Sequence, residues 1–258
     1  MPAQTIALPN IRKLFIPDPG YIIIDADFSQ ADARVVAWDS GATKLKEIFN
    51  DPTKDLHSEN AITIFNKLDK RTRSLAKRGV HATNYYITAR SLARSLGIST
   101  GEAEYFINAW FTAHPEIQEW QERIEREVST TRTIYNAFGY RKIFYDRPDR
   151  ILPEALAWIP QSTVAIAINK ALLNIYNKLP QVQLLIQVHD SLVMQIPRRN
   201  WRELLPKIKA AMTIKIPYPD PLYLPIDVQA SSISWGHKQN CTWTGEFESL
   251  TVQEAAGF

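Results

Sequence analysis

The chain has 258 residues, 45% hydrophobic and 22% charged, enough to bury a sizeable core in one large or two modest domains. It holds no run of about 18 apolar residues, and its start, "MPAQTIALPN", lacks the charged and then apolar pattern of a secretory leader, so neither a membrane span nor export is expected. The single cysteine, Cys241, excludes an internal disulfide or a cysteine zinc cluster and fits a reducing, cytoplasmic setting, while a net charge of +3 is too small to establish a nucleic-acid partner.

No internal repeat, low-complexity tract or Gly/Ser linker interrupts the chain. Residues 11–19, "IRKLFIPDP", read as a short strand ending in a Pro-bounded turn. Residues 21–28 read as a strand with Ile22, Ile24 and Phe28 on one face and Ile23, Asp25 and Asp27 on the other. A helix is expected from Gln30 to about Asp39, stopping near Gly41. A mostly helical region follows from about Lys44 to Thr130, broken at "NDPTKD", at "LGISTGE" and before Pro115. Residues 131–146 have the look of a hairpin with Gly139 in its turn. A longer helix is expected over 153–178, then two short apolar strands, "QLLIQVHDSLVMQI", meeting at His189-Asp190-Ser191. A helix near 200–213, a Pro-rich loop "IPYPDPLYLP" and a strand near 224–230 complete the series. The order predicts an α+β fold, a sheet with a helical subdomain inserted after its first strand.

Chemistry is suggested at three places. Asp27 ends an apolar strand and Asp190 sits at a hairpin tip, so an acid stands twice where a strand surfaces. Brought together, two carboxylates repel unless divalent cations lie between them; a pair of Mg²⁺ ions about 4 Å apart, bridged by acids, drives phosphoryl and nucleotidyl transfer. The plainer alternative makes Asp190 a turn former and Asp27 a neighbour of a helix N-cap. In "KRTRSLAKRGVHATNYY", helical spacing lines up Arg73, Lys77, His81 and Tyr85, offering cations to phosphates and flat rings to a base or sugar; a solvated basic face is the bland alternative. His57 is a further possible phosphate contact, or a structural histidine.

These residues resemble the polymerase domain of family A DNA polymerases, the bacterial polymerase I type also common in bacteriophages. "DADFSQADARVVA" looks like the family's motif A, "RSLAKRGVHATNYY" resembles motif B, "QVHDSLVMQIP" motif C, and "IPQSTVAIAINKAL" the glutamine helix of the palm. The four lie in the family's order over about residues 10–236. The resemblance implies an antiparallel palm sheet with a helical fingers subdomain inserted after the first catalytic strand. It divides the chain into palm (1–43), fingers (44–130), palm again (131–236) and a C-terminal tail (237–258). It implies template-directed 5′→3′ DNA synthesis on a primer–template from dNTPs, with two Mg²⁺ ions (Mn²⁺ as a substitute) held by Asp27, Asp190 and the backbone carbonyl of Phe28. Arg73, Lys77 and His57 would bind the dNTP triphosphate, and Lys77 would protonate the leaving pyrophosphate. His81 and Tyr85 would line the base and sugar site, with Gln30 and Asp32 in the nucleotide-proximal turn. Arg34, Gln161 and His189 would order the site or touch the primer–template, and Asp25 would be structural.

The departures from the family pattern are specific. Asp32 replaces the Glu that crowds the ribose 2′ position, Ser191 replaces a Glu after the motif C Asp, His81 replaces Phe or Tyr, and Tyr86 replaces a Gly. No thumb, T-G-R segment or exonuclease acids are recognisable, so a cut-down or naturally split polymerase is expected, with a separate protein supplying thumb or exonuclease functions in a bacterial host cytoplasm. The tail reads as a docking segment or a disordered end. A non-catalytic DNA-binding or assembly subunit and a single-subunit RNA polymerase are the rivals. Retention of Asp27, Asp190, Arg73 and Lys77 argues against the first, and the Q-A-D and V-H-D patterns against the second.

Overall fold

The computed structural model describes residues 10–247, the side chains of residues 148–150 excepted; the opening nine residues and residues 248–258 of the expected tail lie outside the described residues. After a 3₁₀ turn at Ile11–Leu14, the elements are β1 (Tyr21–Phe28), α1 (Ala31–Ser40), α2 (Thr43–Asn50), α3 (Leu56–Phe65), α4 (Lys70–Asn84), α5 (Ala89–Leu96), α6 (Thr100–Ala113) and α7 (Pro115–Thr131). They continue with β2 (Thr133–Tyr135), β3 (Arg141–Ile143), α8 (Pro148–Lys178), β4 (Gln183–Val188), β5 (Ser191–Pro197), α9 (Trp201–Met212), β6 (Lys215–Ile216), β7 (Leu222–Tyr223), β8 (Ile226–Ser231) and β9 (Gln239–Asn240). The fold is α+β with an antiparallel sheet, as expected.

The chain divides into two compact units. One takes in the chain up to Ser29, Ala167–Ile214 and the chain from Tyr223; the other is Gln30–Ile166 with Lys215–Leu222. The first is built on a five-stranded sheet of order β4-β5-β1-β8-β9. Its isoleucine-rich β1 is central, antiparallel to β5 and to β8, so both edges of its backbone are hydrogen-bonded. Register puts Ile24, Met194 and Ala230 in one row, and Ala26, Leu192 and Val228 in the next, all fully or almost fully buried. The opposite face carries Ile23 and Val193, packed with Trp235, Ile186 and Val188. The rows beyond them on that face hold the acids.

The second unit is helical, and its helices start where capping chemistry is present. Asp69 and Thr72 form a reciprocal capping box at the start of α4, and Ser99 and Glu102 another at α6. Gly41 and Gly97 end α1 and α5 in the left-handed region. Gly79 of α4 lies directly over the ring of Phe106 on α6.

Five expectations are corrected. Residues 11–14 form a 3₁₀ turn, with Asn10 accepting a hydrogen bond from the Arg12 amide, because their apolar side chains find no sheet face to cover. The long helix begins at Pro148 and carries Pro153 and Pro160 inside it, each lacking the N–H of a helix hydrogen bond. Part of the Pro-rich loop pairs as the two-stranded β6–β7. β4 is a half-exposed edge strand with an irregular register between Leu184 and Ile186. Residues 239–240 of the tail form β9, with Cys241 N–H bonded to the Val228 carbonyl. In addition, one helix among the described residues, Ile151–Lys178 within α8, is long and apolar enough to cross a membrane; 56% of its apolar window is buried inside the protein, as in a core helix.

Candidate active site

In the sheet unit, β1 delivers Asp27 at its end. Directly opposite on β5 is Ser191, and directly opposite on β8 is Asp227. Asp190 precedes Ser191 in the two-residue link between β4 and β5, where His189 adopts φ 55°, a left-handed turn conformation more usual for Gly or Asn. The Phe28 amide donates to the Asp190 carbonyl at 3.1 Å, pinning the hairpin tip to the end of β1. Asp190, Asp27 and Asp227 therefore stand across three adjacent strands. They line a cavity of about 600 Å³ with Asp25, Arg12, Lys238 and Trp235.

The electrostatics of the cavity follow from this crowding. Asp27 has its pKa raised to about 7, first by burial, then by the charge of Asp190 and of Asp25, by a hydrogen bond with Asp190, and by Asp227. Asp25 is buried two residues upstream on the same face; its Oδ2 accepts from Trp235 Nε1 at 2.8 Å and pairs with Lys238, while its Oδ1 has no hydrogen-bond partner. This ion pair gives Asp25 the structural part expected of it. Arg12 stacks over the Trp235 ring at 4.7 Å.

Among the described residues no group of three or more His, Cys, Asp or Glu side chains is arranged as a metal cage. Mg²⁺ is ordinarily held by one or two carboxylates together with substrate phosphates and water. Asp27 and Asp190 meet the requirement in kind, as hard carboxylate oxygen donors side by side in the cavity.

In the helical unit, α4 presents Arg73, Lys77 and His81 on exposed positions four residues apart, as expected. Arg73 is not free. Its Nε and Nη2 donate to the two oxygens of Asp55 at 2.9 and 3.1 Å. Asp55 is also the N-cap of α3, accepting from Ser58 N at 2.9 Å and Ser58 Oγ at 2.7 Å. Arg73 and then Ser58 hold the Asp55 pKa down at about 2. His57 lies half-buried in the same field: burial lowers its pKa, Asp55 works against that, and Lys77 and Arg73 add to it. The structure thus brings Arg73 onto Asp55 and sets His57 in the field of Asp55, Lys77 and Arg73.

The remaining candidates separate. Tyr85 caps the end of α4, edge-on to His81 at 4.8 Å between ring centroids. Burial and then the charge of Asp32 push the Tyr85 phenol pKa up, and its buried hydroxyl has no hydrogen-bond partner. Gln30 is the left-handed residue before α1 and makes no side-chain cap bond. Arg34 lies over the Phe49 ring at 4.6 Å and donates to the Phe49 carbonyl at 3.2 Å, a packing contact between α1 and α2. Gln161 is exposed on α8 and His189 is exposed at its hairpin tip.

The family model for DNA polymerase family A matches residues 1–237. The chain belongs to that family. It is 32% identical over 241 residues to the thermostable DNA polymerase I of Thermus filiformis, covering 88% of this chain and 29% of that protein. It is 27% identical over 241 residues to the thermostable DNA polymerase I of Thermus aquaticus, with the same coverage, 88% and 29%. The chain thus spans about three tenths of the length of these relatives. Its fold is that of the POL domain of Pol1 from M. smegmatis, solved in complex with DNA primer-template and dNTP, at a TM-score of 0.78, 24% identity, 87% of this chain and 42% of that one.

Family membership gives the acid row its context, and the structure adds members that sequence reasoning missed. Asp227 sits at an alternating position in "IDVQAS", a signal for its face but not for its register against Asp27. Asp55 carried an N-cap signal only, Asp-x-x-Ser before an apolar run. Arg12 and Lys238 come to the cavity from opposite ends of the chain, with no local signal.

Proposed function

We propose that the chain carries the palm and fingers of a template-directed DNA polymerase, which joins dNTPs to a primer 3′ end by 5′→3′ nucleotidyl transfer. The observation that supports this most is the row Asp190–Asp27–Asp227 in its cavity, because such crowding of carboxylates disfavours their charged state unless a cation is shared. In this reading the fingers, residues 44–130, lie within the helical unit, and the palm, residues 1–43 and 131–236, takes in the sheet unit up to residue 236 and the rest of the helical one.

Asp27 and Asp190, with the Phe28 carbonyl, would hold divalent Mg²⁺, or Mn²⁺ in its place; when bound, the metal lowers the pKa of the primer hydroxyl and neutralises phosphate charge. The primer 3′ hydroxyl releases its proton to solvent, and its oxygen forms the new bond to the α-phosphorus as the bond to the bridging oxygen of pyrophosphate breaks. Arg73, Lys77 and His57 hold the triphosphate and stabilise the charge that gathers on the leaving group. Lys77 gives a proton to the departing pyrophosphate. His81 and Tyr85 present flat rings to the base and sugar, with Asp32 and Gln30 at the sugar side. Arg34, Gln161 and His189 order the site or touch the primer–template near its end. Base pairing with the template reads the sequence.

A separate protein supplying thumb or exonuclease functions, and a cytoplasmic setting, belong to the same proposal; co-purification of a partner from the native host tests the first. The central test is primer extension on a primed template with dNTPs and Mg²⁺, beside Asp27→Ala and Asp190→Ala. Extension lost in both variants, with their folds intact, supports the reading. A wild-type chain that extends nothing, alone or with a co-purified partner, sinks it.

A further inference from the structure

The Arg73–Asp55 pair calls for a reason. It is bidentate, yet its side chains are 45% and 41% exposed, and exposed pairs add little to stability. Asp55 needs no arginine to cap α3, since it caps the helix by accepting from the Ser58 amide and hydroxyl. What the pair does is hold a guanidinium in one orientation. Asp55 takes the Nε–Nη2 edge of Arg73, and Nη1 makes no hydrogen bond among the described residues, so one edge of the fork is anchored to a helix terminus while donors on the other stay available. Lys77 is exposed one turn further along α4, and His57 is half-buried two residues beyond Asp55. His57 thus lies in the field of Asp55, Lys77 and Arg73 at once.

We propose that Asp55 is a positioning and specificity residue of the triphosphate site: it sets the orientation of Arg73, and its charge makes the site favour a cation-neutralised polyphosphate over a bare one. This rests on the reading of Arg73, Lys77 and His57 as the triphosphate contacts. Anchoring Arg73 helps both ligands alike, because each needs the same fork. Repulsion from Asp55 scales with the ligand's own charge, so it weighs more heavily on the bare anion. The ratio of the two affinities therefore isolates the charge of Asp55 from its anchoring of Arg73 and from any general loosening of the fold.

Isothermal titration calorimetry on the full chain in EDTA tests this, using inorganic tripolyphosphate and its exchange-inert tetraamminecobalt(III) complex as the two probes. The proteins are wild type, Asp55→Asn and Arg73→Gln. Asn is as good an N-cap as Asp, so the first variant removes the charge and spares α3; Asp55→Ser, also a cap, takes its place if that variant misfolds. The expected result is a shift of about three- to tenfold toward the bare anion in the affinity ratio of Asp55→Asn, from a screened charge a few ångströms from the ligand. Binding that depends on Arg73 but shows an unchanged ratio in Asp55→Asn overturns the proposal and leaves the triphosphate reading standing. If wild type binds neither probe, or Arg73→Gln binds both equally well, the triphosphate reading falls and the role of Asp55 falls with it.

Discussion

Asp227 stands directly opposite Asp27 across the β1–β8 ladder, so two carboxylates face each other where the central strand ends. Side chains in that relation lie about 5 Å apart at Cβ, and Asp190 closes on Asp27 from the other side through the hairpin tip.

A consequence for pH and metal follows. Asp27 holds a folded pKa of about 7 against 3.8 for an unperturbed carboxyl, so without metal the folded chain keeps a proton that the unfolded chain releases. The stability this group contributes is present below about pH 4 and is lost as pH rises through about 7. Asp27→Asn is therefore expected to be more stable than wild type in EDTA at pH 8, with the gap closing toward pH 4, and Mg²⁺ should stabilise wild type and not the variant. Urea denaturation at both pH values, with and without Mg²⁺, measures this. Asp227→Asn should move the same way by less, since Asp227 is the weakest of the causes.

His114 makes the opposite case in the helical unit. It is fully buried at the α6–α7 junction, its ring is 4.3 Å from that of Trp110, and neither ring nitrogen has a partner. Burial first and Lys44 second lower its pKa from 6.5 to about 4. Its contribution to stability is full above about pH 6.5 and is lost as pH falls toward 4, because the unfolded chain binds the proton first. His114→Phe should lose about 2 kcal/mol less than wild type between pH 7 and pH 4.5. Parallel denaturation curves at the two pH values check it; equal losses would count against a neutral buried imidazole.

Gly79 is held to hydrogen by packing. A Cβ there would lie 2.5 Å from Phe106 Cζ and 2.9 Å from Cε2, and Phe106 is itself fully buried against Phe65. Alanine is worth about 1 kcal/mol over glycine inside a helix, but overpacking costs about 1–3 kcal/mol. Gly79→Ala is expected to lower the melting temperature by several degrees. Gly79→Ala with Phe106→Leu should recover part of that loss.

A role for Asp32 in sugar choice is part of the proposed function and is open to test. The Asp32 charge acts on the Tyr85 phenol, yet that buried hydroxyl makes no hydrogen bond. Asp32→Glu is expected to alter the ratio of ribonucleotide to deoxyribonucleotide incorporation in single-nucleotide extension assays; identical ratios would remove Asp32 from sugar discrimination.

Much of the local structure is legible in the residues. The alternation in "YIIIDADF" places Asp27 on the face opposite Ile22, Ile24 and Phe28, and Gly41, Gly97 and Pro115 mark helix ends where the structure has them. The 3₁₀ turn at Ile11–Leu14 was not legible, because an apolar cluster reads as a strand unless one knows that no sheet edge lies beside it. For the site, helical spacing was enough to predict the stripe of Arg73, Lys77 and His81.

What the sequence by itself determined is the identity and the face of each chemical group: which strand ends in an acid, which helix carries cations, and the motif order that marks a family A polymerase. What only the tertiary structure decided is who stands opposite whom. A period of two assigns a strand residue to a face but leaves its register open, and a slip of two along β8 would keep every face and move Asp227 away from Asp27. The same holds for Asp55 and Arg73, 18 residues apart on different helical elements, and for Asp25 and Lys238, 213 apart. Their meetings depend on how apolar faces pack at long range, and no local pattern encodes that distance.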